Sequence, residues 1–135
     1  MRDLRITSPA SAEPWPGADR VWPSHNTDGV NIQSCVRVQL TRLDINNGDD
    51  CVVIYSGSNE QGRVMNRTTS DVHVEDVTCG HGHGVTVGSR TSAGISNLTF
   101  RRIRCEGSWS EPTTPVLPIR SSDLAPFAVH QSAFG

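Results

Sequence analysis

Residues 38–45 read VQLTRLDI, and the same spacing of apolar positions returns as VHVEDVTC at 72–79 and as LTFRRIRC at 98–105. In each stretch the apolar side chains fall at the first, third, sixth and eighth places. They are Val38, Leu40, Leu43 and Ile45, then Val72, Val74, Val77 and Cys79, then Leu98, Phe100, Ile103 and Cys105. Alternation with period two marks strand, because successive side chains of a strand point to opposite faces. No helical period competes with it between residues 30 and 105. The copies are offset by 34 and then 26 residues, and the polar stretch SGSNEQGRVMNRTT at 56–69 supplies a loop for the longer interval. A strand-only unit recurring at such periods implies a stacked array. The expected fold is all-β, a partial parallel β-helix of about three coils. An antiparallel sandwich would need two-residue hairpin turns between strands about 8 to 12 residues apart, and no clear hairpin of that kind is present.

A second pattern of the form polar, small, apolar, any, apolar follows the first. It occurs as Asp28-Gly29-Val30-Asn31-Ile32, Asp50-Cys51-Val52-Val53-Ile54 and His83-Gly84-Val85-Thr86-Val87. If these occupy one strand position of successive coils, Asp28, Asp50 and His83 form a column with about 4.8 Å between neighbours, and Asp49 stands at its shoulder. Stacked asparagines or apolar residues would serve stability better than titratable groups. Two carboxylates one coil apart repel when both are ionised, which raises the pKa of one and supplies the acid and base of a hydrolysis. The bland alternatives are a tight turn at Asp28, a solvated turn at Asp49 and Asp50, and a loop histidine at His83.

Composition narrows the partners. The chain has 135 residues, 35% of them hydrophobic, and a formal net charge of −2, so no basic surface argues for nucleic acid. The longest apolar run, Cys51 to Tyr55, is far short of a membrane span. The first residues lack the apolar stretch of a secretory signal, which suggests a cytosolic protein or a true N-terminus lying elsewhere. Four cysteines, Cys35, Cys51, Cys79 and Cys105, are too widely spaced for a zinc site of the C-x2-C kind, and a disulfide is their more natural use. Two N-x-[ST] acceptors, at 66–68 and 97–99, are compatible with secretion.

In order along the chain, NTDG at 26–29, GDDC at 48–51 and GHG within GHGHGVTVGS at 80–89 resemble the polygalacturonases and related pectin-hydrolysing enzymes of glycoside hydrolase family 28. The resemblance covers roughly residues 25–105. It implies a right-handed parallel β-helix and hydrolysis of α-1,4-galacturonosyl linkages with inversion. By position, Asp49 resembles the general acid and Asp28 and Asp50 the pair that activates water, while His83 tunes the acid and Asn26 contributes to substrate binding. The spacing to the following Gly-Ser fits His83, leaving His81 as a turn residue. Cys51 and Cys79 match a family disulfide beside the site, which requires an oxidising compartment; buried free thiols are the alternative. No cofactor or metal is implied, since an HGH pair lacks a third clear ligand.

The family's Arg-Ile-Lys motif, whose cations bind substrate carboxylates, has no clean match. Arg102-Ile103-Arg104 comes too early, and Pro118-Ile119-Arg120 keeps one cation, Arg120, as a weak candidate. The expected organisation is a partial coil and loop at 1–24, a β-helix core at 25–105 and an irregular Pro- and Ser-rich tail at 106–135. Trp15, Trp22 and Trp109 fall in the Pro-rich text outside the core. Such a chain is expected to be a fragment, a misassembled gene product or a degenerate copy, with little activity of its own. The full-length protein is expected to be a secreted or cell-wall monomer acting on pectin, without nucleic-acid or membrane partners. The rivals are a non-catalytic carbohydrate-binding or structural β-helix and, more distantly, a calcium-stabilised repeat protein.

Overall fold

The computed structural model describes residues 1–8, 26–80 and 82–106. The expectations attached to His81, Arg120, the three tryptophans, most of the 1–24 segment and the tail past 106 lie outside these residues. The elements in chain order are β1 (Arg2–Thr7), β2 (Val30–Gln33), β3 (Val36–Asn46), β4 (Asp50–Tyr55), α1 (Asn59–Met65), β5 (Thr69–Gly80), β6 (Gly84–Val87) and β7 (Ile95–Glu106). They form two all-parallel sheets, one of order β1-β3-β5-β7 and one of order β2-β4-β6. The chain thus alternates between two stacks, and each pass lies beside the previous one. This is a parallel β-helix.

The first repeat is in register along its whole length. Val38 pairs with Val72 and Val72 with Leu98; Leu40, Val74 and Phe100 form the next column, Leu43, Val77 and Ile103 the third, and Ile45, Cys79 and Cys105 the fourth. A further rung precedes them, because Leu4 pairs with Leu43 and Ile6 with Ile45. Apart from Cys105, these side chains, with Ile32, Val52 and Ile54 from the other sheet, make one core cluster. Burying each such aliphatic side chain is worth about 1.5–3 kcal/mol, so a modest apolar content suffices when it is concentrated on the inner columns. Strand β4 lies between two neighbours, and Cys51, Val52, Val53 and Ile54 are all fully buried. That explains its unbroken apolar run, since a strand covered on both faces does not alternate.

The two-residue gap inside the repeat has a backbone cause. Asp3, Arg42, Asp76 and Arg102 occupy its second place, and all have positive φ, between 50° and 56°. One left-handed residue bends the strand, so Leu40 and Leu43, three apart, both face inward. The outer side chains of this corner alternate in charge. Arg42 pairs with Asp3, with Nε–Oδ1 at 2.6 Å, and Arg102 pairs with Asp76, with Nε–Oδ1 at 2.5 Å. Like charges at this one-coil spacing would repel, and alternation avoids that.

Two features depart from expectation. The stretch read as a loop contains a helix, α1, closed by Asn66 in the left-handed conformation at its C-cap. Cys35 and Cys105, for which a disulfide is one expected use, are exposed and free among the described residues. Cys105 lies in the last described rung and so has a neighbouring strand on only one side.

Candidate active site

Three loops meet at the leading edge of the three-stranded sheet, and the sequence dictates how closely. Gly29 donates its N–H to the Asp50 carbonyl at 2.8 Å. A Cβ on Gly29 would stand 2.5 Å from the Cys51 carbonyl oxygen and 2.7 Å from Ile45 Cγ2, so no other residue fits. Asn47, only 2% exposed, donates its side-chain amide to the carbonyls of Thr27 at 2.7 Å and Asp50 at 2.8 Å. The Thr27 hydroxyl accepts the Gly48 N–H at 3.0 Å. The NTDG and GDD loops are thereby tied into one unit.

Strand β6 completes the site with a change of register. Val52 pairs with Val85 and Ile54 with Val87, as the second repeat requires, but Asp50 pairs with Gly84 rather than with His83. The bulge lies between Asp50 and Val52, where β4 carries one residue more than β6. His83 is therefore not the third member of a column with Asp28 and Asp50. It is level with Asp49, donating its backbone N–H to the Asp49 carbonyl at 3.0 Å. Its ring Nδ1 lies 3.2 Å from Asp49 Oδ1.

The other oxygen of Asp49 receives a long contact, 3.5 Å, from the Asn26 amide. Asp49 Oδ1 also accepts the Asp50 N–H at 2.8 Å, so each oxygen has a donor, and the side chain remains partly open to solvent. Asp50, also partly buried, accepts a 2.5 Å hydrogen bond from the Thr86 hydroxyl. Burial pushes the Asp50 carboxyl above the usual carboxylate range, the Thr86 hydroxyl pulls it back, and the charges of Asp49 and Asp28 push it further up. One ligand-type atom from each of Asp49, Asp50 and His83 lies within 4.8 Å of the other two. These three could approach a common cation, but a cluster of acids with an imidazole needs no ion to exist. The structure also joins Cys51 and Cys79, with Cα atoms 5.8 Å apart, which ties β4 to β5 directly behind the acids.

A cleft of about 450 Å³ runs from these acids along the sheet. Asn26, Asp28, Asp49 and Asp50 line one end, and Asn31, Gln33, Tyr55 and Arg90 line the other. Asp28, Asp49, Asp50 and Asn26 are thus brought together, with His83 joined to them through Asp49. Arg120 lies outside the described residues. Sequence reasoning passed over Asn47, Thr86, Tyr55 and Arg90. Thr86 and Tyr55 occupy second-repeat strands and could have been found by asking which side chains point outward beside the acids. Asn47 and Arg90 sit in loops with no repeat to flag them.

Comparison with known proteins bears on the family. Residues 1–110 match the family model for glycosyl hydrolases family 28. Over 103 residues the chain is 34% identical to a polygalacturonase of Prunus persica, a match covering 67% of the chain and 23% of the relative. It is 34% identical over 89 residues to polygalacturonase-2 of Solanum lycopersicum, covering 63% of the chain and 17% of that protein. It is also 37% identical over 84 residues to a probable endo-xylogalacturonan hydrolase A of Aspergillus fumigatus, covering 60% and 18%. The matched segment therefore spans about a fifth of the length of these relatives. No solved structure matches the chain. The match to the family model over most of the chain, together with a parallel β-helix presenting paired carboxylates, means that the chain belongs to glycosyl hydrolases family 28.

Proposed function

We propose that this site hydrolyses galacturonosyl linkages of pectin, with Asp49 as general acid and Asp28 and Asp50 activating the attacking water. The observation that carries the reading is the different surroundings of two adjacent carboxylates. Both are partly buried, but Asp49 is paired with the ring of His83, while Asp50 takes the Thr86 hydroxyl and its carboxyl is raised by burial. A glycosidase needs two carboxyl groups in different roles, and different surroundings are what separate them. Asp49 faces the cleft where a glycosidic oxygen could lie, and the imidazole of His83 steadies its proton. Asp50, once ionised, is a stronger base for having its pKa raised. In an inverting reaction the water needs room on the side of the sugar away from the acid, with carboxyl groups about 6.5–9.5 Å apart. On this reading the attacking water lies between Asp50 and Asp28. The relatives named polygalacturonase and endo-xylogalacturonan hydrolase support a galacturonate-containing polysaccharide as substrate. The Cys51–Cys79 bond supports action in an oxidising compartment such as the cell wall.

Reducing-sugar release from polygalacturonate tests the reading, with the complete gene product compared against its Asp49→Asn form. A loss of at least about a hundredfold is expected, in the range general acid–base catalysis supplies. Equal rates would remove the assignment. Pectin binding with no cleavage by either form would make the protein a carbohydrate-binding β-helix instead.

A further inference from the structure

Among the described residues, Arg90 is the one cation lining the cleft, at its far end. The Arg90 guanidinium lies 5.4 Å from the centre of the Tyr55 ring, a cation–π distance. Its backbone is fixed on both sides: the Arg90 carbonyl accepts the Ser56 N–H at 2.7 Å, and Thr91 bridges to Gly57. Among the described residues no carboxylate pairs with Arg90. By contrast, Arg5, Arg42 and Arg102 of the four-stranded sheet pair with Asp44, with Asp3, and with Glu75 and Asp76. Arg90 is an exposed cation parked on an aromatic face, with its planar donors available.

That position matters because the opposite end is acidic. A polyanion approaching Asp28, Asp49 and Asp50 meets like-charge repulsion. An unpaired guanidinium inside the same cleft offsets it and takes a carboxylate in two-pronged fashion. From Asp50 to Tyr55 is five residues of strand, or about 16 Å at 3.3 Å per residue. That backbone span leaves room for a sugar held at Arg90 to be another unit of the chain whose bond is cleaved at the acids.

We propose that Arg90, positioned by Tyr55 and flanked by Gln33, forms a subsite that holds the carboxylate of a uronic-acid unit distant from the scissile bond. Arg90 is the anion-binding residue and Tyr55 a positioning residue. The proposal rests on the pectin-hydrolase reading and adds to it a specific source of preference for unesterified chains.

The test uses Asp49→Asn protein, to prevent turnover, with and without Arg90→Gln. Each is titrated with hexagalacturonate and with its fully methyl-esterified form. Arg90→Gln should weaken the acidic oligomer about tenfold, the equivalent of one lost charged hydrogen-bond pair, and leave the ester within about twofold. Arg90→Lys should restore only part of the loss. Tyr55→Leu should lower the acid-to-ester affinity ratio, which a general loosening of the fold would not do. Unchanged binding of the acidic form, or an equal loss for the ester, overturns the subsite. Hydrolysis that survives Asp49→Asn overturns the reading beneath it, and the two failures are thus distinguished.

Discussion

Gly82 crosses the backbone of Asp49 so closely that a Cβ on it would stand 2.2 Å from the Asp49 carbonyl oxygen. Its φ of +78° is one that side-chain-bearing residues adopt with strain. The glycine therefore sets the height at which the third loop passes over the acid, and with it the reach of His83. Gly82→Ala must push that loop outward. We expect a destabilisation of about 1–3 kcal/mol, from the conformational cost and the clash together, and a loss of activity larger than the stability change explains. Urea unfolding and polygalacturonate hydrolysis on the same preparation check it. A variant of full stability and full activity would show that the contact is not rigid.

The disulfide between Cys51 and Cys79 closes a loop with a sequence separation of 28, which contains α1 and the crossing from one sheet to the other. A loop of that length removes enough freedom from the unfolded chain to stabilise the fold by about 3–4 kcal/mol. Cys51→Ser with Cys79→Ser, or reduction of the parent, should lower the urea midpoint by that equivalent. A midpoint that does not move on reduction would mean that coil stacking alone holds this segment.

The inner columns could be read from the sequence because the period-two alternation that starts at Val38, Val72 and Leu98 is imposed by the pleat itself, and each coil repeats it. The outward-facing acids at positions 28, 49 and 50 were legible for the opposite reason, since charge at the head of a buried strand conflicts with stability. The register of His83 was not legible. A bulge at Cys51 adds one residue without changing the apolar pattern on either side, so the text reads the same whether the imidazole faces Asp50 or Asp49. Nor was the support of the loops visible. Asn47 acts through two backbone carbonyls brought to it by chain segments 20 and 3 residues away, contacts that no local pattern encodes. The helix α1 escaped because seven residues of polar text carry no amphipathic period to detect.

Asp50 supplies the last prediction. Its carboxyl is raised, first by burial, so its charged form costs the folded state something that the unfolded chain, titrating near the ordinary value of about 3.9, does not bear. A raised acid contributes stability that is fully present below its unfolded pKa and is lost as pH rises through its folded value. Asp50→Asn removes the charge while leaving an oxygen to accept the Thr86 hydroxyl. The variant should therefore melt higher than the parent at pH 7 and no higher at pH 3, where the parent carboxyl is protonated in both states. Thr86→Val works the other way. It deletes the hydrogen bond that pulls Asp50 down, so the acidic limb of the pH–rate profile should move to higher pH while the alkaline limb stays in place. Melting curves at the two pH values and a pH–rate profile on polygalacturonate provide the check. An acidic limb indifferent to Thr86→Val would mean that ionisation of some group other than Asp50 governs the attack of water.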